Sequence, residues 1–205
     1  MSKILHISSS PSGERSASIT VAKAFLEAYA AKNPSDTIET LDLWKTTLPE
    51  FDGETIKAKY AVMSGQKFTP EEDAAWKAIV KIADHFKSFD KYIVSLPMWN
   101  FGIPYKLKHY IDLLAQPSLA FAYENGNYRG LITGRPLVAV HSRGGAYGPG
   151  SPAEGYDLQS KYLRQVLSFI GFTDIRDIFL ESTASKKDET LAQGKAQAME
   201  IAAGF

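Results

Sequence analysis

The residues of this sequence that could do chemistry fall into three short stretches, and each is suited to holding a ligand. The first, Ser8-Ser9-Ser10-Pro11-Ser12-Gly13-Glu14-Arg15-Ser16-Ala17-Ser18, is dense in hydroxyls. Hydroxyls beside the free amides of a starting helix make a phosphate site that needs no lysine. The stretch is neither GxGxxG nor GxxxxGK[ST], which disfavours a Rossmann-bound NAD or a nucleoside triphosphate. The second stretch is Pro97-Met98-Trp99-Asn100-Phe101-Gly102-Ile103-Pro104. Its two large aromatics and thioether offer a surface to a flat ring, while Asn100 and the loop amides can hydrogen-bond the ring's edge. The third is Ser142-Arg143-Gly144-Gly145. Adjacent glycines let backbone approach a ligand closely, and Arg143 could hold an anion or pair with a carboxylate. Each stretch also has a plain reading: a capped helix, an aromatic plug under the next helix, an ordinary turn.

The elements that must position these stretches are legible as alternating periods. Lys91 to Leu96 is a short apolar, β-branched run that reads as a strand buried on both faces. Pro97 removes a donor, Gly102 and Pro104 punctuate a turn, and a helix follows with Leu107, Ile111 and Leu114 on one face. Upstream, residues 3–8 read as a strand, and 16–31 as a helix carrying Ile19, Ala22, Phe25, Leu26 and Tyr29 on its stripe. Residues 37–43 alternate as a more exposed strand. A short helix is expected over 54–63, since a structureless segment from 44 to 69 would be unusual in a compact domain.

Thr69-Pro70-Glu71-Glu72 is a helix start, with Trp76, Ile79, Val80 and Ala83 as the buried stripe beyond it. Asn125-Gly126, between aromatics, signals a small hairpin or flap over 119–131. A strand over 136–141, a helix over 156–170, a strand over 173–180 and a helix over 186–202 complete the chain. Five strands alternating with helices predict an α/β fold: a flavodoxin-like, doubly wound, five-stranded parallel sheet with helices on both faces. We expect one domain over 1–205, with insertions at about 44–69 and 116–131. That fold brings loops 8–18, 97–104 and 141–148 to one rim, where open α/β sheets bind ligands. A phosphate cradle, an aromatic platform and an amide-rich wall match the parts of flavin mononucleotide (FMN).

Bulk properties narrow the function classes. The chain has 205 residues, 44% hydrophobic and 22% charged, an ordinary globular composition. Lys+Arg and Asp+Glu both number 23, so electrostatics gives no reason to expect nucleic acid or an anionic membrane as partner. Absence of cysteine excludes disulfides, thiolate metal sites and a cysteine nucleophile. No HExxH motif or carboxylate cluster suggests a metal. With no signal-peptide pattern and no apolar run near the ~18–20 residues of a membrane helix, a soluble, cytoplasmic protein is expected.

These residues carry a resemblance. The sequence is similar to the FMN-dependent NAD(P)H quinone reductases and azoreductases of the flavodoxin-like superfamily. The matching pieces are Lys3-Ile4-Leu5 with Ser9-Ser10 and Ser16-Ala17-Ser18, Pro97-Met98-Trp99-Asn100-Phe101, Leu131-Ile132-Thr133-Gly134, Ser142-Arg143-Gly144-Gly145 and Phe169-Ile170-Gly171-Phe172. Trp99 stands where the family often has tyrosine. The resemblance implies that Ser10, Ser16, Ala17 and Ser18 hold the FMN phosphate. Met98, Trp99, Asn100 and Phe101 would line the isoalloxazine, with Ser142, Arg143, Gly144 and Gly145 at its pyrimidine side. Phe121 and Tyr123 match a segment bordering the substrate pocket, and the family works as a homodimer.

The implied activity is ping-pong: NADH or NADPH reduces the flavin through N5, and a quinone or azo compound then takes two electrons from the same face. No side chain is assigned as acid, base or nucleophile. Two other readings compete. A flavodoxin-like electron carrier would have no turnover of its own, but such carriers are smaller and strongly acidic. A serine hydrolase built on Ser8, Ser9 or Ser10 with His141 would lack the GxSxG elbow.

Overall fold

The computed structural model describes residues 1–67 and 69–205. Its centre is β3 (Lys91–Pro97), in which Tyr92, Ile93, Val94, Ser95 and Leu96 are all buried. A strand covered on both faces is apolar at most positions, which is why the run does not alternate, and its one buried serine, Ser95, has Oγ 2.9 Å from His6 Nε2. β1 (Lys3–Ser8) pairs with one side of β3 and β6 (Leu137–Ser142) with the other, both parallel. β2 (Thr37–Asp42) closes the edge beyond β1, and β7 (Ile175–Leu180) the edge beyond β6. The order β2-β1-β3-β6-β7 makes a five-stranded parallel sheet whose winding reverses between β1 and β3. Strand β2 is the most exposed of the five, as its alternation implied.

Helices cover both faces because the side chains of each strand alternate between them. On one face Leu5, Ile7, Tyr92, Val94 and Leu96 pack with residues of α2 (Gly53–Ser64), α3 (Pro70–Lys87), α4 (Tyr105–Leu114) and α5 (Leu158–Ile170). On the other, Ile4, Ile93, Val138 and Val140 pack with α1 (Ala17–Lys32) and α6 (Lys187–Ala203). Complete burial of Val94 and Leu96 alone contributes roughly 1.5–3 kcal/mol each.

Local signals account for the element boundaries. Thr69 Oγ1 accepts from the Glu72 N–H, and the Glu72 carboxylate accepts from the Thr69 N–H, so the start of α3 is a complete capping box. Asp52 caps α2 by accepting from the Thr55 N–H. Asn125 and Gly126 both have positive φ and join β4 (Phe121–Glu124) to β5 (Asn127–Gly130), an antiparallel hairpin outside the main sheet.

Candidate cofactor site

Three loops leave the carboxyl edge of the sheet side by side, at the reversal between β1 and β3 and beside it. Backbone bonds tie them together: the Ser9 N–H and Oγ–H both donate to Ser95 O, and the Met98 N–H donates to Ser142 O at 2.7 Å. The expected convergence of residues 8–18, 97–104 and 141–148 is therefore present.

In the first loop, Gly13 at φ +53° opens a single 3-10 turn, and Ser16 follows in extended conformation. That geometry denies α1 an ordinary cap. Ser16 Oγ lies 3.1 Å from Ser18 Oγ and makes no bond to the first-turn amides. Ala17 and Ser18 are buried, yet among the described residues nothing accepts from their N–H groups. Buried donors left open at a helix start are a site for an anion. Ser10, also buried, sits just upstream, with its Oγ facing the Ser12 N–H at 3.4 Å.

The second loop is a tight turn. Trp99 and Gly102 exchange N–H···O bonds of 3.0 and 2.9 Å, with Asn100 (φ 46°) and Phe101 (φ 70°) between them. Positive φ at both central residues belongs to a type I′ turn, where Asn is common and the second position favours Gly. A phenylalanine there is strained, and such strain collects at functional sites. Phe101 is not a plug: it is 43% exposed and stacks on Tyr156, with centroids 5.2 Å apart. Trp99 does pack, against Trp44 at 5.8 Å and Tyr105 at 6.3 Å. Trp44 is itself fixed by donating from Nε1 to Ser9 O.

In the third loop the glycines face outward and the arginine inward. Among the described residues, the Gly144 and Gly145 N–H groups have no acceptor. Arg143 is 1% exposed and donates to Gln159, Glu181 and Asp157. Its guanidinium is thus committed to carboxylates inside the protein, so of the two roles open to it in the sequence the structure displays the pairing. Burial alone would raise the Asp157 pKa, but hydrogen bonds from Ser160 and the charge of Arg143 outweigh it and hold the carboxyl below its ordinary value.

Phe121 and Tyr123, expected to border the substrate pocket, stand apart from the three loops of their own chain. Phe121 and Tyr123 are on the β4-β5 hairpin, which packs at the far end of α5: Phe121 meets Phe169 at 4.7 Å, and the Ile132 N–H donates to Ile170 O. Helix α5 starts at the carboxyl edge, where the Leu158 N–H donates to Phe101 O, and ends at the amino edge beside β7. Its 13 residues put roughly 20 Å between the hairpin and the three loops. Short-range pattern marks a hairpin but says nothing of which end of the sheet it occupies. Trp44, Tyr105, Tyr147 and Tyr156 were not anticipated. They sit in segments read only as loop, insertion or helix start, and no periodicity singles them out.

His141 does not assemble a hydrolase. It is completely buried, Nε2–H donates to Asp177, and Nδ1 has no partner among the described residues. No serine hydroxyl is among its partners, and the Ser9 hydroxyl is spent on Ser95 O. Open amides at the phosphate end, a strained aromatic turn and a second set of open amides fit the FMN parts, and among the described residues no acid–base–nucleophile set competes.

The comparisons with known proteins agree with this geometry. The model of the family described as flavodoxin-like fold matches residues 2–202. An FMN-dependent NADH:quinone oxidoreductase of Nitratidesulfovibrio vulgaris is 46% identical over 202 residues, covering 98% of this chain and 97% of that protein. One of the same name from Desulfotalea psychrophila is 41% identical, covering 98% and 97%. Among solved structures, an azoreductase from Bacillus anthracis superposes with a TM-score of 0.91 at 30% identity over the whole of both chains. An FMN-dependent NADH-azoreductase of the same species, solved in complex with FMN, gives 0.89 at 30% identity, covering 99% and 98%. The chain belongs to the flavodoxin-like family that contains the FMN-dependent NADH:quinone oxidoreductases and the azoreductases.

Proposed function

We propose that the protein is an FMN-dependent oxidoreductase that uses NADH to reduce quinones to hydroquinones and to cleave aromatic azo compounds, in ping-pong order. The observation that carries this reading is the row of unpaired amides and exposed aromatics along one sheet edge. When bound, FMN supplies the two-electron chemistry between the nicotinamide and the acceptor. The chain's own part is to bind and orient. Ser10, Ser16, Ala17 and Ser18 would hold the phosphate. Met98, Trp99, Asn100 and Phe101 would flank the ring, and the amides of Gly144 and Gly145 would meet its pyrimidine edge beside Ser142. Arg143, whose N–H donates to Leu180 O and whose guanidinium is held by Gln159, Glu181 and Asp157, would support the loop from inside. Amides already aimed at a site where negative charge gathers stabilise it at little reorganisation cost.

Phe121 and Tyr123 are too far from these loops to touch a substrate held by the same chain. We assign them to a neighbouring copy's site in a homodimer, consistent with the exposure of Tyr123 (64%) and Tyr128 (65%). The reading takes residues 1–205 as one domain. Its reductant, NADH, is the ground for proposing a cytoplasmic setting. Among the described residues, no helix is long and apolar enough to cross a membrane.

The test is the visible spectrum of the purified protein, followed by addition of NADH and then of a quinone or an azo dye. Oxidised-flavin bands that bleach with NADH and return with acceptor turnover are expected. A yellow protein without turnover is a carrier, and a colourless one that refuses added FMN ends the proposal.

A further inference from the structure

We propose that Arg143 and Glu181, with the segment Glu181-Ser182-Thr183-Ala184, are positioning residues that hold the Gly144–Ala146 amides open toward the cofactor; this rests on the FMN reading above. Three successive carbonyls of the third loop are pinned to that segment. Arg143 O accepts from the Thr183 N–H and Oγ1–H, Gly144 O from the Ala184 N–H, and Gly145 O from the Ser182 N–H. In a planar trans peptide the C=O and the following N–H point opposite ways. Pinning those carbonyls therefore turns the Gly144, Gly145 and Ala146 N–H groups together to the other side, and none of the three has an acceptor among the described residues. Successive amides sharing one direction form a concave donor site for an anion or a carbonyl oxygen.

The loop is braced from inside as well. Arg143 Nη1 donates to Glu181 Oε1 at 2.8 Å, and Glu181 Oε2 accepts from the Tyr147 N–H at 2.7 Å. One carboxylate thus spans both ends of the arch. Arg143 Nη2 and Nε anchor it to Asp157 and Gln159 at the start of α5, and Phe179 covers the guanidinium face at 4.5 Å. Ser182, at φ 57°, is itself in a strained conformation, as expected of a support shaped by a neighbour's needs.

The experiment is a double-mutant cycle on FMN affinity, read by flavin fluorescence as FMN is added to apo-protein. Arg143→Lys and Glu181→Gln should each weaken binding by about tenfold or more. The double variant should bind about as weakly as the poorer single, because both changes release one brace. Multiplying effects would mean that Arg143 and Glu181 act independently rather than as one brace, and the proposal falls. Amide exchange in the apo-protein gives an independent readout. Glu181→Gln, and the milder Thr183→Val, should speed exchange at Tyr147 and Thr183 while leaving the melting temperature close to the parent's. A parent that binds no FMN overturns the proposed function, and unchanged exchange in both variants overturns this one.

Discussion

Asn100, Phe101 and Ser182 are L residues held where glycine is at home, at φ 46°, 70° and 57°. Phe101 and Ser182 each cost of order 1–3 kcal/mol, Asn100 less because asparagine enters this region readily, and all three border the proposed cofactor edge. Gly144 presents the opposite case. A Cβ added there would meet only the Ala184 Cβ, at 3.9 Å, and its φ lies outside the left-handed region. Nothing in the fold requires glycine at 144, so any requirement comes from what approaches it. Gly144→Val should leave the apo-protein's melting temperature within about 2 °C while weakening FMN at least about tenfold by crowding the close approach. Calorimetry and a fluorescence titration on the same sample decide it: a parallel fall in both would make Gly144 a folding residue, and no change in affinity would move the cofactor off this loop. The adjacent glycines were readable as a place of close approach. The inward turn of Arg143 was not, because its carboxylate partners stand 14 and 38 residues away, in loops whose sequence carries no matching period.

At the scale of elements, the strands and helices could be read from the sequence wherever a local rule speaks. β3 shows as a mostly apolar, β-branched run, α3 as a capping box, the hairpin as Asn125-Gly126. Placement of the hairpin depends instead on a contact between distant backbones. A Cβ on Gly130 would lie 2.3 Å from Gly171 N and 2.4 Å from Ile170 C, so β5 can seat against the end of α5 only as glycine. Backbone cannot give way as a flexible side chain can. Gly130→Ala should therefore cost about 1–3 kcal/mol or more, a drop of roughly 2–12 °C in melting temperature. FMN affinity should stay within about threefold of the parent, since α5 holds the hairpin roughly 20 Å from the three loops. An unchanged melting temperature would show that the hairpin is not seated there, and a large loss of FMN would show that the hairpin bears on a cofactor, its own chain's or a neighbouring copy's.

For the molecule as a whole, the sheet that gathers the loops also buries two histidines, and the response to acid should follow from them. His6 on β1 is 2% exposed, with Nε2 2.9 Å from Ser95 Oγ. Burial pulls its pKa down from 6.5 to about 4; Asp42 opposes the shift and Lys23 adds to it. His141 on β6 is also lowered, its complete burial outweighing the attraction of Asp177. A group whose folded pKa is depressed takes up its proton more readily in the unfolded chain, so stability is full above pH 6.5 and falls as pH drops toward 4. His6 alone accounts for about 3 kcal/mol across that window. Asp157 acts in the same direction only at lower pH, below its ordinary 3.8. General charge repulsion is a poor rival explanation near neutrality, because 23 basic residues balance 23 acidic ones and only four histidines can add charge before the carboxylates titrate. Urea unfolding of apo-protein at intervals from pH 7.5 to 4.5 should show a steady loss of stability. His6→Gln, which keeps a polar partner for Ser95 but does not titrate, should flatten the curve by His6's share and leave the slope that belongs to His141. If the variant lost stability with pH as steeply as the parent, the proton would be going elsewhere.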